Sequence, residues 1–222
     1  MRKSIVRIIV TGLMLILYTV FAQTLVLMPS FVGGKSPSVP LTTAIVFIIV
    51  FGGLIYLLYS IYANWLRHDH NTTYGLTPFN QQRFRFMLLM ILALILVQVA
   101  GSLLTASGLA PEASNQQELI ALSKQFPVAL ALIAVVGAPP VEEFIFRALL
   151  MNSFPDTTRA WRIARVLISA AAFGLVHAPT EPLNFLVYAG MGAVFAVTYQ
   201  YTKDIRYSIV LHFLNNFLAI FV

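Results

Sequence analysis

Apolar residues in this chain run in long blocks instead of alternating, and polar residues gather in the short stretches between them. Seven blocks each approach the roughly 20 residues that a helix needs to cross a bilayer. They fall at approximately 5–28, 40–65, 86–109, 126–154, 163–178, 183–201 and 205–222. Helices satisfy their own backbone hydrogen bonds in hydrocarbon, whereas a barrel needs a period-two alternation that these blocks lack. The pattern predicts an all-α polytopic transmembrane bundle of about seven spans. The count becomes eight if the fourth span breaks at Pro139-Pro140, since proline is best tolerated in a helix's first turn and a new segment would start there.

Composition sharpens this reading. The 222 residues are 59% hydrophobic and only 10% charged, with a mean hydropathy of +0.84, so an integral membrane protein is expected. The absence of cysteine removes disulfides, thiolate metal sites and cysteine nucleophiles together. The net charge of +6 would suit nucleic acid on a soluble domain. Here the basic residues lie between apolar spans and report topology instead, so no nucleic-acid partner is expected. With the N-terminus inside, Arg2, Lys3, Arg7, Arg67, Arg83, Arg85, Arg159, Arg162, Arg165, Lys203 and Arg206 all fall on the cytoplasmic side. Lys35 and Lys124 fall outside, with Glu112, Glu118 and Glu181. That bias predicts a cytoplasmic N-terminus and an outer C-terminus. Residues 1–28 are read as an uncleaved first helix, because the apolar run continues past the small-residue site at Val20-Phe21-Ala22. His68-Asp69-His70 reads as a solvated turn, and Asn71-Thr72-Thr73 as a sequon on the wrong side for glycosylation.

The chemistry-bearing residues stand where they are costliest. Glu142 and Glu143 interrupt a long apolar run, and a charge at a bilayer centre costs on the order of 3 kcal/mol even on a lenient scale. Glu143 and Arg147 form a favourable i,i+4 pair and account for each other. Glu142 points about 100° away and has no such explanation. His177 closes a second apolar segment with Phe173 one turn before it, and His212 lies in a third with Asn216 at i+4. Singly, each histidine suits packing or interhelical hydrogen bonding. Together, a candidate base, two imidazoles and an amide on three segments of one bundle point to a built polar site.

These residues carry a resemblance. Glu142-Glu143-Phe144-Ile145-Phe146-Arg147, Phe173-Gly174-Leu175-Val176-His177 and His212-Phe213-Leu214-Asn215-Asn216 follow, in order, the Glu-Glu-x-x-x-Arg, Phe-x-x-x-His and His-x-x-x-Asn motifs of the CPBP family. That family is also called the Abi or CAAX-protease-like family of intramembrane proteases. The usual glycine after the motif arginine is Ala148 here. The resemblance covers 126–222 as a catalytic core, with 1–125 as N-terminal spans lacking a signature, all within one integrated membrane domain.

The resemblance implies an endopeptidase acting on a membrane-associated peptide or protein in the bilayer, of the CAAX-processing, peptide-maturation or immunity type, in a bacterial plasma membrane. Glu142, assisted by His177, would deprotonate water. His212 and Asn216 would donate hydrogen bonds to the oxyanion, with Glu143 and Arg147 in support. The family is often labelled metalloprotease, and Glu142, His177 and His212 are the ligand types of a zinc site. The favoured expectation is a mechanism without cofactor, because few outer acceptors for the imidazoles are visible in the sequence. The rival readings are a non-catalytic immunity or scaffold protein and a small proton-coupled transporter.

One geometric conflict stands out. Counted from Arg162 and Arg206, His177 lies about 22 Å and His212 about 9 Å into their helices. The two side chains meet only if a helix is tilted, short or broken.

Overall fold

A computed structural model describes residues 2–31, 39–69, 73–78, 80–125 and 130–221. Lys35, His70, Asn71 and Thr72 lie outside the described residues. The architecture is all-helical, with no strand among the described residues. In chain order the helices are α1 (Arg2–Phe31), α2 (Val39–His68), α3 (Gln81–Ala106) and α4 (Ser114–Gln125). A composite rod, α5, spans 131–153, and α6 (Arg159–His177), α7 (Pro182–Thr202) and α8 (Ile205–Phe221) follow. Among the described residues five helices are long and apolar enough to cross a membrane: α1, α2, α3, α6 and α7. The other two expected spans are α5 and α8. The short polar α4 fills the connection that follows α3.

Apolar residues sort the helices into a lipid-facing girdle and a core. Ile9, Leu13 and Ile16 on α1, Ile48 and Ile49 on α2, and Leu92 and Leu96 on α3 are all exposed, as a hydrocarbon solvent permits. By contrast α5 is apolar over most of its surface and belongs inside. Every residue from Val141 to Leu149 is buried, with α1, α2, α6 and α8 packed against the rod.

The rod does not restart at the prolines. It passes through Pro139-Pro140 with helical dihedrals at Gly137 and Ala138, and no side chain caps it there. Wider π turns at Ala131–Gly137 and Phe144–Leu150 flank the prolines. They shift the hydrogen-bond register where two amide hydrogens are missing. Glu142 and Glu143 therefore sit in mid-helix, not in a first turn with free N–H groups. Close approach of α2 holds this region: a Cβ added at Gly137 would fall 2.5 Å from the Phe51 ring and 2.8 Å from Phe47.

One end of the bundle collects the basic residues predicted to share a side. Arg7 holds Asp69 at 2.6 Å and donates to the Asn152 carbonyl. Lys3 also pairs with Asp69, so the expected solvated turn is an anchor for α1. Asp156 binds Arg165 and Lys203, each at 3.2 Å, and accepts from Tyr74. The segment 73–78 packs over the α7–α8 turn. The Gly75 amide donates to the Lys203 carbonyl, and Thr77 donates to Asp204. At the far end Glu181 accepts from the Ser114 amide at the start of α4.

Burial pushes the Asp156 carboxyl up, but the Tyr74 hydrogen bond and the Arg165 and Lys203 charges outweigh it and hold it below its usual range. Such a depressed group contributes stability above its unfolded value and loses it as pH falls through the folded one. The loss thus belongs to acid, below about pH 4. Asp156→Asn is expected to lower the melting temperature at neutral pH and to shrink the difference from wild type as the medium is acidified. Thermal unfolding across an acid series checks this.

Gly137→Ala is expected to cost about 1–3 kcal/mol through overpacking. Gly12→Ala, with nothing within 4 Å, should be neutral or slightly stabilising. Unfolding of both variants in the same detergent makes the comparison.

Candidate active site

The site forms where α5, α6 and α8 meet. Glu142 Oε2 lies 3.6 Å from His177 Nε2 and 3.8 Å from His212 Nε2. Glu142 and His212 are buried, at 8% and 2% exposure. The other ring nitrogen of each histidine is already engaged. His177 Nδ1 lies 2.8 Å from the Phe173 carbonyl, and His212 Nδ1 lies 2.9 Å from Glu143 Oε1. A carbonyl and a carboxylate accept only, so each Nδ1 carries the hydrogen. In the neutral rings both Nε2 atoms are then acceptors, turned toward a carboxylate oxygen that has no hydrogen-bond partner among the described residues. Three acceptors facing one another call for something that donates: a proton, a water or a cation.

Aromatic rings fix the imidazoles. His177 stacks between Phe173 and Tyr188, with centroids at 4.1 and 5.1 Å. His212 stacks on Phe195 at 4.6 Å. Phe173, one turn before His177, thus supplies both the carbonyl and the ring that orient it.

The Glu143–Arg147 pair closes at 3.0 Å with both side chains fully buried. Arg147 also donates to the Gly192 carbonyl at 3.1 Å. Its guanidinium lies 4.8 Å from the Phe173 ring and 5.3 Å from Phe195. Gly192 lets α6 and α7 pack closely here, since a Cβ there would stand 3.0 Å from Phe173 Cβ.

Asn216 is placed differently from the other motif residues. Its Nδ2 donates to the Ala134 carbonyl at 2.8 Å. The Ala138 amide reaches back five residues to Ile133, and Pro139 has no amide hydrogen. Neither helical register therefore supplies the Ala134 carbonyl, and Asn216 does. Asn215 donates to Asn216 Oδ1 and accepts from Gln98 on α3. Of the sequence-predicted residues the structure gathers Glu142, His177, His212 and Glu143, with Arg147 behind them. It ties one amide hydrogen of Asn216 to α5.

Two further residues reach this region from spans without a motif. Tyr18 on α1 donates to Glu142 Oε1 at 2.8 Å, and Gln98 orients the asparagine pair. Gln98, a lone amide in an apolar run, was detectable in principle; Tyr18 gave no local signal.

The depth conflict resolves through Asp156, which holds Arg165 of α6 and Lys203 before α8 at one level. From there His177 lies about 18 Å along and His212 about 13 Å. That difference of about one turn is within the reach of a long arginine side chain and a tilt. The first turn of α6, with Arg159, Trp161 and Arg162 exposed, extends beyond that level.

Among the described residues no group of three or more His, Cys, Asp or Glu side chains is arranged to hold a metal ion. The donor types nonetheless suit one. Outer acceptors for both imidazoles, expected to be scarce, are present in the Phe173 carbonyl and Glu143. A cavity of about 170 Å³ lies to one side, lined by Tyr59, Tyr62, Phe144, Ile205 and Ile209 among others, but not by Glu142 or either histidine.

Fold and site together define a polytopic helical membrane protein with a buried carboxylate between two imidazoles. Residues 124–218 match the family described as type II CAAX prenyl endopeptidase Rce1-like. The membrane-embedded CAAX protease MroQ of Staphylococcus aureus (strain USA300) is 27% identical over 135 residues, 60% of this chain and 51% of that protein. The chain thus matches about half the length of that relative. No solved structure is significantly similar. These two similarities support membership of the CPBP, or CAAX-protease-like, family.

The two adjacent glutamates should differ in what they do for the fold. Removing one partner of a buried ion pair typically costs about 3–5 kcal/mol, so Glu143→Gln, which strands Arg147 and releases His212, is expected to lower stability by that order. Glu142→Gln keeps a group able to accept from Tyr18 and should unfold close to wild type. Equilibrium unfolding of both variants tests the ranking, and the reverse order would overturn it.

Proposed function

We propose that this protein is an intramembrane endopeptidase in which Glu142 takes a proton from a water held between His177 and His212. The observation that carries the reading is the acceptor-only cluster: Glu142 Oε2 unpartnered and facing two Nε2 atoms. A water there could donate one hydrogen to Glu142 and the other to a histidine nitrogen. Its oxygen would then be exposed to a substrate carbonyl.

The water oxygen attacks the carbonyl carbon as Glu142 takes the proton, general-base chemistry worth roughly 10²–10⁴-fold. Negative charge develops on the carbonyl oxygen. The proton that Glu142 has taken can move to His212 Nε2, 3.8 Å away, where the Glu143 carboxylate on Nδ1 offsets the imidazolium charge and the new N–H donates to the oxyanion. Asn216 has one amide hydrogen beyond its bond to Ala134 for the same purpose. Collapse of the intermediate breaks the C–N bond, and that same proton passes to the leaving amine.

If zinc binds, Glu142, His177 and His212 would hold it, and the ion would supply a Lewis acid and a more acidic water. Elemental analysis of active protein with a chelator titration separates the two chemistries. Stoichiometric zinc whose removal abolishes turnover would recast Glu142 as ligand or as base to a bound water.

The substrate class is a membrane-associated peptide or protein, reached from a bacterial plasma membrane in which the N-terminus faces the cytoplasm. Glu142→Gln is expected to abolish cleavage while leaving insertion intact. Comparative proteomics of cells carrying wild type or Glu142→Gln should reveal one membrane peptide that accumulates uncleaved in the variant. Near wild-type processing would remove Glu142 from the role of base. Proton-coupled solute flux in proteoliposomes, without cleavage, would favour a carrier.

A further inference from the structure

We infer that Tyr18 is a positioning residue for Glu142, so that α1, outside the region matched by the family, forms part of the active site. The inference rests on the reading of Glu142 as the base. The Tyr18 hydroxyl donates to Glu142 Oε1 at 2.8 Å, while Oε2 is the oxygen turned to both imidazoles and left without a partner. A carboxylate in mid-helix has free rotation about its side-chain bonds unless something holds it. Among the described residues, the Tyr18 hydrogen bond is the one that Glu142 accepts, and it decides which oxygen faces the histidines.

The register of α1 is set independently of that contact. Arg7 and Tyr18 are eleven residues apart, three turns along one face, or about 16 Å. Arg7 bonds the Asn152 carbonyl and Tyr18 bonds Glu142. Those partners on α5 are ten residues apart, about 15 Å at ordinary helical rise. Two antiparallel helices are thus joined at two points with matching spacing, and the Arg7–Asp69 clamp fixes the first. The second follows from the register. The ring is braced as well, since Tyr18 meets Phe51 edge to face, and Phe51 packs where Gly137 leaves room on α5.

The bland account is that a buried tyrosine hydroxyl simply needs an acceptor. Other hydroxyls on α1 meet that need locally: Thr11, Thr19 and Thr24 each return to the carbonyl four residues back. Only the longer tyrosine reaches across to α5.

Tyr18→Phe keeps the ring and deletes the donor. Two readouts on purified protein decide the proposal. In infrared difference spectra, the carboxyl bands of Glu142 are those lost in Glu142→Gln, and the same bands are expected to shift in Tyr18→Phe. Bands unmoved in Tyr18→Phe would overturn the contact, whatever the protein's activity. The second readout is kinetic, on a peptide spanning the cleavage site recovered by proteomics. There kcat is expected to fall about tenfold or more, the worth of a hydrogen bond to a charged group, with KM within about twofold of wild type. Shifted bands with unchanged kcat would leave a structural bond and overturn the positioning role. Full activity in Glu142→Gln would instead sink the reading of Glu142 as base, while the infrared result still reports on the contact.

Discussion

The fully buried charge of Arg147 is the constraint around which the rest of the bundle is arranged. A guanidinium inside a bilayer protein needs compensating charge and dipoles around it. Arg147 finds them in Glu143, the Gly192 carbonyl and the faces of Phe173 and Phe195, while its Nε has no hydrogen-bond partner among the described residues. These partners lie on three elements, Glu143 on α5, Phe173 on α6, and Gly192 and Phe195 on α7. Satisfying one cation therefore draws α5, α6 and α7 together, and Glu143 then draws in α8 by accepting from His212. The same carboxylate neutralises a cation and orients an imidazole. A pair of this kind adds little net stability over apolar packing. Its value lies in specifying which helices meet and at what height.

Much of this was legible from sequence. Apolar blocks gave seven spans close to the observed rods, because in hydrocarbon the choice of helix follows from backbone satisfaction alone. The Glu143–Arg147 pairing followed from i,i+4 spacing, and the grouping of basic residues at one end from their distribution. Three features were out of reach for identifiable reasons. The rod's passage through Pro139-Pro140 depends on π turns and on a donor from Asn216, 82 residues away; proline rules weigh only the local cost. Asp69 looked like part of a solvated turn because its partners, Lys3 and Arg7, lie more than 60 residues earlier. The meeting of His177 and His212 depends on Asp156 levelling two helices, and a residue count from the nearest arginines cannot anticipate that.

Asn216 shows how one motif position can serve two ends. As a donor to the Ala134 carbonyl it repairs the gap in hydrogen bonding left by Pro139. It is oriented by a chain of amides running from Gln98 through Asn215. Gln98 donates to Asn215, and Asn215 and Asn216 each accept and donate in turn, which fixes which end of the Asn216 side chain faces α5. The prolines, the π turn and the asparagine thus form one unit. A helix that must carry two carboxylates through the core is loosened just before them, and the loosened backbone is secured from the helix that bears His212.

The unpartnered oxygen of Glu142 gives this architecture its asymmetry. Its neighbour Glu143 is bound on one oxygen by both Arg147 and His212, whereas Glu142 receives one hydrogen bond from Tyr18 and turns its other oxygen to two acceptor nitrogens. Each carboxylate keeps one buried oxygen without a hydrogen-bond partner among the described residues. Glu143 is held on its other oxygen by a fixed cation and a ring donor, whereas Glu142 turns its unpartnered oxygen to the imidazoles. Burial makes an unmet acceptor costly, so the arrangement persists only because the surrounding contacts hold it. Those contacts come from α1 as much as from α6 and α8. The N-terminal helices therefore do more than shield the core from lipid: through Arg7 and Tyr18 they set the position of the carboxylate on which the proposed chemistry depends.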